Sequence, residues 1–220
     1  MEEHTSSDHL SSSLTDLMTS LMVIFILLLL VFVSHSASKD AALTDVLLKR
    51  LKQDLQPQGF NENSIRRDPR DRNAILVIVP GRLMNFELQR ADLQEGGRDF
   101  LRSHIPSLAG VLCSPEFQSS IDSIVVEGHT DRTRYGKTEE ESQNNNLKLS
   151  QDRSMAVVKE ALADLSATGY EEQRACFLEK LSATGRGEQD PEKTDEDSRR
   201  VIFKIRVKAR DEDRILTKVM

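Results

Sequence analysis

The sequence predicts a mixed α/β fold in which a single N-terminal transmembrane helix precedes one domain of alternating strands and helices. Residues 17–38 contain no Asp, Glu, Lys or Arg, and short apolar runs of strand length alternate with helical patterns further along. The chain has 220 residues and only 5% aromatic side chains, which suits one domain with an aliphatic core. Its formal net charge of -6 argues against a nucleic-acid partner, because phosphate binding needs a basic surface.

The apolar run approaches the roughly 20 residues that a helix needs to cross a bilayer. We therefore assign a short tail to residues 1–13 and a transmembrane helix to residues 14–35. A cleaved signal peptide is the alternative, since residues 34–37 are small enough for cleavage, but signal peptides begin with positive charge and this chain begins with Met-Glu-Glu. The positive-inside rule alone would place Lys39, Lys49 and Arg50 in the cytoplasm.

Asp16 is an acidic residue near the start of this apolar helix. A carboxylate at the centre of a membrane helix costs roughly 2.5–3.5 kcal/mol on insertion scales. Asp16 shares a polar face with the residues at helical spacing from it, which are Ser12, Ser13, Thr19 and Ser20. It could be an ion relay that faces other helices, or it could lie in the headgroup layer, where the first turn of a helix favours acids. Spacing alone leaves both open.

Residues 36–70 are predicted to connect the membrane helix to the folded domain. Leucines recur every fourth residue at Leu43, Leu47, Leu51 and Leu55, which predicts a short amphipathic helix ending before Pro57. Its apolar face could pair with a second copy of the chain or lie on a membrane or channel mouth, and we expect pairing. The polar residues 61–72 are typical of a linker.

The folded domain is predicted over residues 71–209, followed by a tail at 210–220. Strands are expected at residues 74–80, through 124–126 to Gly128, and at 201–207, with helices over 94–112 and from an N-cap at Ser150. The second helix is expected to bury a stripe formed by Met155, Val158, Leu162 and Leu165. The element order is β-α-β-α-(β)-β, an α/β sandwich.

A binding site is expected between the end of the second strand and the helix opened by Ser150. Free backbone N–H groups at a helix start favour an anion, and Arg153 in the first turn could bind a carboxylate. Asp131, just after the strand, supplies the opposite charge, so the pair suits a zwitterionic ligand. Alternatively, Asp131 and Arg153 simply pair with each other.

The remaining reactive residues give no sign of an enzyme. Cys113 and Cys176 lack the spacing of metal ligands; they could form a disulfide in an oxidising compartment, but we expect two separate buried thiols. Neither a metal nor another cofactor is expected. The chain has no Ser/His/Asp set or phosphate-binding loop, and His129 is expected to be structural.

Four ordered motifs resemble those of the OmpA-like peptidoglycan-binding domain. They are GHTD at 128–131, NLKLSQDR at 146–153, GRGE at 185–188 and SRRVIFKI from Ser198. The resemblance implies that Asp131 and Arg153 hold the zwitterionic diaminopimelate of the peptidoglycan stem peptide, with Thr130 and Asn146 as further site residues. The loop at 132–145 is longer and more acidic than is usual in the family.

The segment LTDLMTSLMVIFILLL is similar to the transmembrane helix of MotB-type stator proteins. This resemblance implies that Asp16, supported by Thr19 and Ser20, carries H+ or Na+, with H+ expected. It further implies that two copies of the chain pass through a pentameric MotA-like subunit, with the tail in the cytoplasm and the C-terminal domain in the periplasm of a bacterial inner membrane. Residues 39–56 could plug the channel at rest.

Within this group the sequence looks most like the ZorB family, the stator-like subunits of Zorya anti-phage systems, which pair with ZorA-like subunits. That likeness rests on the short chain, on the acidic tail and on the sequence TDLMT around Asp16. A flagellar stator subunit and a passive wall tether, in which Asp16 is incidental, are the alternatives.

Overall fold

The computed structural model describes residues 4–58, 60–84, 86–167 and 169–208. Within these ranges, side chains are described except at 4–13, 33–42, 58, 62 and 167. The predicted tail at 210–220 therefore lies outside the described residues, as do the side chains of Ser12 and Ser13.

The described chain forms one long helix followed by a mixed α/β domain. The helices are α1 (His4–Leu55), α2 (Gly81–Met84), α3 (Glu95–Leu112), α4 (Glu139–Ala167), α5 (Glu171–Lys180) and α6 (Asp195–Ser198). The strands are β1 (Ile65–Arg67), β2 (Ala74–Pro80), β3 (Ile121–Gly128), β4 (Leu181–Gly185) and β5 (Arg200–Val207). The predicted α/β class and its strand–helix alternation are confirmed.

The five strands form one mixed sheet in the order β1-β2-β5-β3-β4. β5 is central and antiparallel to both neighbours, with Phe203 opposite Val77 on β2 and Val126 on β3. β4 pairs in parallel with β3, and the connection between them contains α4 and α5. Alternate residues of β2, β3 and β5 point into an aliphatic core that the helices cover.

The end of α1 packs into this core. Leu47, Leu51 and Leu55 are at most 1% exposed, and Leu43 packs against the same cluster. We expected this face to pair with a second copy or to lie on a membrane or channel mouth; in the structure the folded domain covers it. The amphipathic segment is also not a separate short helix, since α1 runs unbroken from the apolar span to Leu55.

The helix α4 begins earlier than predicted. It starts at Glu139, so Ser150 lies inside it instead of capping it, and Arg153 lies several turns from its start. About half of the acidic loop predicted at 132–145 is thus helical. The predicted buried stripe is correct except at Met155, which is 40% exposed: Leu165 is buried, and Val158 and Leu162 pack against the core. Val157 and Ala161 are also buried.

Cys113 and Cys176 form a disulfide between the end of α3 and α5, with their Cα atoms 5.9 Å apart. Our expectation of two separate thiols is therefore wrong. Sequence could not decide this, because the pairing depends on the packing of α5 against α3 across 63 residues of chain.

We predict that Leu51→Ala lowers the free energy of unfolding by about 2–5 kcal/mol, because it leaves a cavity where α1 meets the domain core. Denaturant unfolding of the full chain in detergent would measure this loss. Val46→Ala is the matched control, since Val46 lies on the same helix and is 51% exposed. Equal effects of the two substitutions would show that α1 is not part of the domain core.

Candidate functional site

A cavity of about 170 Å³ opens beside the C-terminal end of β3. Half of its lining residues are arginines, and the wall comes from α2, α4, α6, β5 and the loops that join them. The lining residues are Gly81, Arg82, Phe86, His129, Arg153, Glu196, Arg199 and Arg200.

The crossing of β3 and α4 brings the predicted motifs together. A side chain at Gly128 would overlap the carbonyl oxygen of Ser150, so only glycine allows the strand end to approach the helix this closely. The Ser150 hydroxyl donates to the Leu147 carbonyl at 2.7 Å and accepts from the Gly187 N–H at 2.8 Å. Ser150 thus joins the GHTD, LSQDR and GRGE segments, and this role replaces the predicted N-cap.

Arg153 is a buried cation held in a fixed orientation. Its Nε donates to the Arg90 carbonyl at 3.0 Å and its Nη2 to the Glu87 carbonyl at 3.1 Å. Its guanidinium carbon lies 5.0 Å from the centre of the Phe86 ring. Burial lowers the pKa of Arg153, an effect that nearby Asp131 opposes. No carboxylate of a described residue lies within ion-pairing distance of it.

Asp131 pairs with Arg199, not with Arg153. An oxygen of its carboxylate lies 2.5 Å from Arg199 Nη1, and the other accepts from the Thr133 N–H at 3.0 Å. The alternative in which Asp131 and Arg153 pair directly is therefore wrong. Arg199 lines the cavity, whereas Asp131 does not.

Thr130 and Asn146, the other predicted site residues, are buried beside the cavity, as is His129, which we expected to be structural. Thr130 donates its N–H to the Gly187 carbonyl at 2.8 Å, and Asn146 donates its side-chain amide to the Thr133 carbonyl at 3.2 Å. His129 Nδ1 lies 3.2 Å from the Gln189 carbonyl. These contacts hold the loop after β3 in place, and of these three residues only His129 lines the cavity.

Arg200 links the cavity to the loop before α6. Its Nη2 donates to the Asp190 carbonyl at 2.8 Å, and its side chain is 6% exposed. Asp190 adopts a left-handed backbone conformation with φ of 57°, which aspartate tolerates better than most residues. The Asp190 carboxylate in turn binds Arg70 and Arg186.

Asp16 lies on the exposed apolar part of α1. The described chain has one helical segment long and apolar enough to span a membrane, Leu14–Phe32, and Asp16 is near its start. The Thr19 hydroxyl lies 3.0 Å from the Thr15 carbonyl and 2.9 Å from the Asp16 carbonyl. Thr19 and Ser20 remain predicted supports of an ion site.

The described residues contain no cluster of three or more His, Cys, Asp or Glu side chains that could hold a metal ion. Arg82, Phe86, Arg199 and Arg200 are site residues that our sequence reasoning did not assign. The SRRVIFKI segment contained two of these arginines and could have indicated them. Phe86 carried no sequence signal, because its place under Arg153 depends on the loop after α2.

Comparison with solved structures identifies the class of this fold. A MotB-like protein from Desulfovibrio vulgaris is similar at 20% identity and a TM-score of 0.56, over 78% of this chain and 98% of that chain. This likeness shows that the chain has a MotB-like fold, and the identity is too low to show more than the fold.

Two further solved structures are similar. A periplasmic domain of MotB matches at 16% identity and a TM-score of 0.49, over 70% of this chain and 73% of that chain. The OmpA-like domain of FopA1 from Francisella tularensis matches at 20% identity and a TM-score of 0.39, over 66% and 80% of the two chains. No family model and no curated protein matches the sequence.

We predict that Asp190→Asn destabilises the domain at neutral pH and that this effect shrinks in acid. The hydrogen bond from Arg70 lowers the pKa of Asp190 to about 2, below the value of about 3.9 expected in the unfolded chain. The ionised Asp190 therefore stabilises the fold above about pH 4, and this contribution is lost as the pH falls through about 2.

Denaturant unfolding of wild type and variant between pH 7 and pH 2 would measure the difference. Asp152→Asn is the control, because Asp152 is exposed on α4. A difference between wild type and Asp190→Asn that stays constant over this range would contradict the assigned ion pair.

Proposed function

We propose that this chain is a membrane-anchored stator subunit that binds peptidoglycan through its folded domain and carries ions at Asp16 in a complex with a MotA-like partner. One observation carries the proposal: a MotB-like fold, with a buried and unpaired Arg153 at its cavity, follows a single apolar helix that contains an acid.

Peptidoglycan binding is supported by the chemistry of Arg153. A buried charge without a partner is costly, so the site favours an anion that can complete the ion pair. The guanidinium is already oriented by two backbone carbonyls, and its remaining donors can bind a carboxylate in a bidentate manner. Stem peptides of peptidoglycan carry free carboxylates, which matches the role that the OmpA-like motifs imply.

A periplasmic location for the domain is supported by the disulfide between Cys113 and Cys176. Disulfides persist in the bacterial periplasm and are rare in the cytoplasm. The positive-inside rule would place Lys39, Lys49 and Arg50 in the cytoplasm, but that rule is a statistical tendency. We therefore give the disulfide more weight. The N-terminus then lies in the cytoplasm of a single-pass inner-membrane protein.

Ion transfer at Asp16 is supported by its position near one end of the apolar span. A carboxylate there is neutral when it binds a proton, which removes the cost of a charge in a low-dielectric environment. Each unit charge that crosses the membrane releases about 2.3 kcal/mol per 100 mV. Repeated loading of Asp16, with H+ as the proposed ion, can therefore drive movement of a surrounding MotA-like pentamer around two copies of this chain.

The biological role that we propose is anti-phage defence, in the manner of ZorB with a ZorA-like partner. Its support is the sequence TDLMT around Asp16 and the acidic residues before the apolar run. A flagellar stator subunit would use the same helix and domain, so the biological assay below decides between the two.

We predict that Arg153→Ala weakens binding of the full chain to purified sacculi by about tenfold or more, because it removes a charge-assisted contact to carboxylate. Co-sedimentation in detergent would measure this. Arg72→Ala is the control, since Arg72 is exposed and lines no part of the cavity. Unchanged sacculus binding by a folded Arg153→Ala protein would refute the site.

We predict that Asp16→Asn abolishes protection from phage while leaving the protein folded and inserted, because an amide cannot load and release a proton. The test is a plating assay in cells that express the chain with its neighbouring genes, at matched membrane levels. Asp8→Asn is the control, as it changes an acid that precedes the apolar run.

Equal protection by Asp16→Asn and wild type would refute the ion-carrier role of Asp16. The chain would then be a passive tether to the cell wall. If wild type gives no protection, the defence role fails, and the same variants should then be tested in a motility assay.

A further inference from the structure

The disulfide between Cys113 and Cys176 closes a loop that contains both predicted ligand-binding residues. The two cysteines are 63 residues apart in the chain. The segment between them contains β3 and α4, and therefore Asp131 and Arg153. A bond that closes so long a loop removes many conformations from the unfolded chain, so its loss takes away a large part of the stability of a small domain.

The helix α5, which carries Cys176, has few other attachments to the domain. It is ten residues long, and Phe177 is the one buried side chain among its residues, all of which the structure describes. A hydrogen bond from Arg174 to the Leu162 carbonyl, at 3.3 Å, joins it to α4. Helices this short are marginal unless packing stabilises them. The bond from Cys176 to Cys113 is therefore a main attachment of α5.

The strand β4 transmits the position of α5 to the site. It begins directly after α5 ends, and of the described strands only β3 pairs with it. Just after β4, Gly187 accepts the Thr130 N–H at 2.8 Å and donates its own N–H to the Ser150 hydroxyl at 2.8 Å. These two bonds hold the loop that carries Asp131 against the helix that carries Arg153. Release of α5 would therefore loosen β4 and, through Gly187, both sides of the site.

We propose that a thiol–disulfide oxidase completes the peptidoglycan site of this chain, because the bond between Cys113 and Cys176 holds α5 and β4 in the position that binding requires. This inference rests on the proposed peptidoglycan binding and adds a control step to it. The reduced chain binds the wall weakly, and the oxidised chain binds it well. Since cytoplasmic thiols stay reduced, the site becomes competent only after the domain has crossed the membrane.

The reaction is a thiol–disulfide exchange whose oxidant is the disulfide of the oxidase. A thiolate of this chain attacks one sulfur of that disulfide and forms a mixed disulfide. The second thiolate of this chain then attacks the chain's own sulfur in the mixed disulfide and releases the oxidase as a dithiol. Two electrons and two protons pass from Cys113 and Cys176 to the oxidase. Both cysteines are half-buried in the folded chain, so a small dithiol can reach the bond and reverse the reaction.

The experiment measures sacculus binding by the full chain in detergent in three states. The protein is oxidised, reduced with dithiothreitol, or reoxidised after the reductant is removed, and mass spectrometry after thiol alkylation establishes each state. We expect reduction to weaken co-sedimentation about tenfold or more and reoxidation to restore it.

A Cys113→Ser/Cys176→Ser double variant is the matched control. It should bind sacculi as weakly as the reduced protein, and the reductant should not change its binding, because the reductant acts through this bond. Reduction of the folded wild type remains a test if the double variant does not fold.

Hydrogen exchange shows where the bond acts. In the reduced protein we expect the amides of α5 and β4 to exchange about tenfold or more faster, whereas those of the central strand β5 change less. This pattern distinguishes a local attachment of α5 from a general loss of stability.

The proposal is overturned if the reduced and oxidised proteins bind sacculi equally, or if reduction accelerates exchange equally in α5, β4 and β5. Equal binding by two forms that both bind would leave the proposed function intact. Absence of binding by the fully oxidised protein would instead refute the proposed peptidoglycan binding, and this inference with it.

Discussion

The candidate site depends on the close crossing of β3 and α4 at Gly128 and Ser150. The absence of a side chain at Gly128 lets the strand end meet the helix backbone, and the Ser150 hydroxyl then binds the Gly187 N–H. This contact fixes the loop that carries Asp131 relative to the helix that carries Arg153. A bulkier residue at position 128 would force the strand and the helix apart, and it would thereby separate Asp131 from Arg153.

The arginines around the cavity are held by different kinds of partner. Arg153 is oriented by backbone carbonyls and an aromatic ring. Arg200 is held by the Asp190 carbonyl and lies 3.7 Å from the Glu192 carboxylate, and Arg199 is held by the Asp131 carboxylate. Carbonyl oxygens satisfy hydrogen-bond donors but do not neutralise a full charge. At Arg153 the site therefore combines fixed geometry with a positive charge, which is the condition that an anionic ligand requires.

The long helix α1 joins the apolar span to the folded domain without a flexible linker. Phe32 ends the apolar span, and Leu43 is the first described side chain packed against the core. The ten residues between them make the distance along the helix roughly 16 Å. Because Leu47, Leu51 and Leu55 are buried in the domain core, the end of the helix and the domain form one packed unit. Such a rigid connection suits the stator role that we propose.

The apolar span, the α/β class and the three main strands could be predicted from the sequence, because they depend on local periodicity. Short motifs pointed to Asp131 and Arg153, whose binding role stays a prediction. Which side chains meet depends on how the sheet and helices pack, and local patterns do not contain that information. The start of α4 at Glu139 displaced the expected N-cap from Ser150, and the leucine face of α1 packed into the domain. Asp131 took Arg199 as its partner, and Cys113 met Cys176, since each of these contacts joins elements that are distant in the chain and lie together only when the sheet and helices pack.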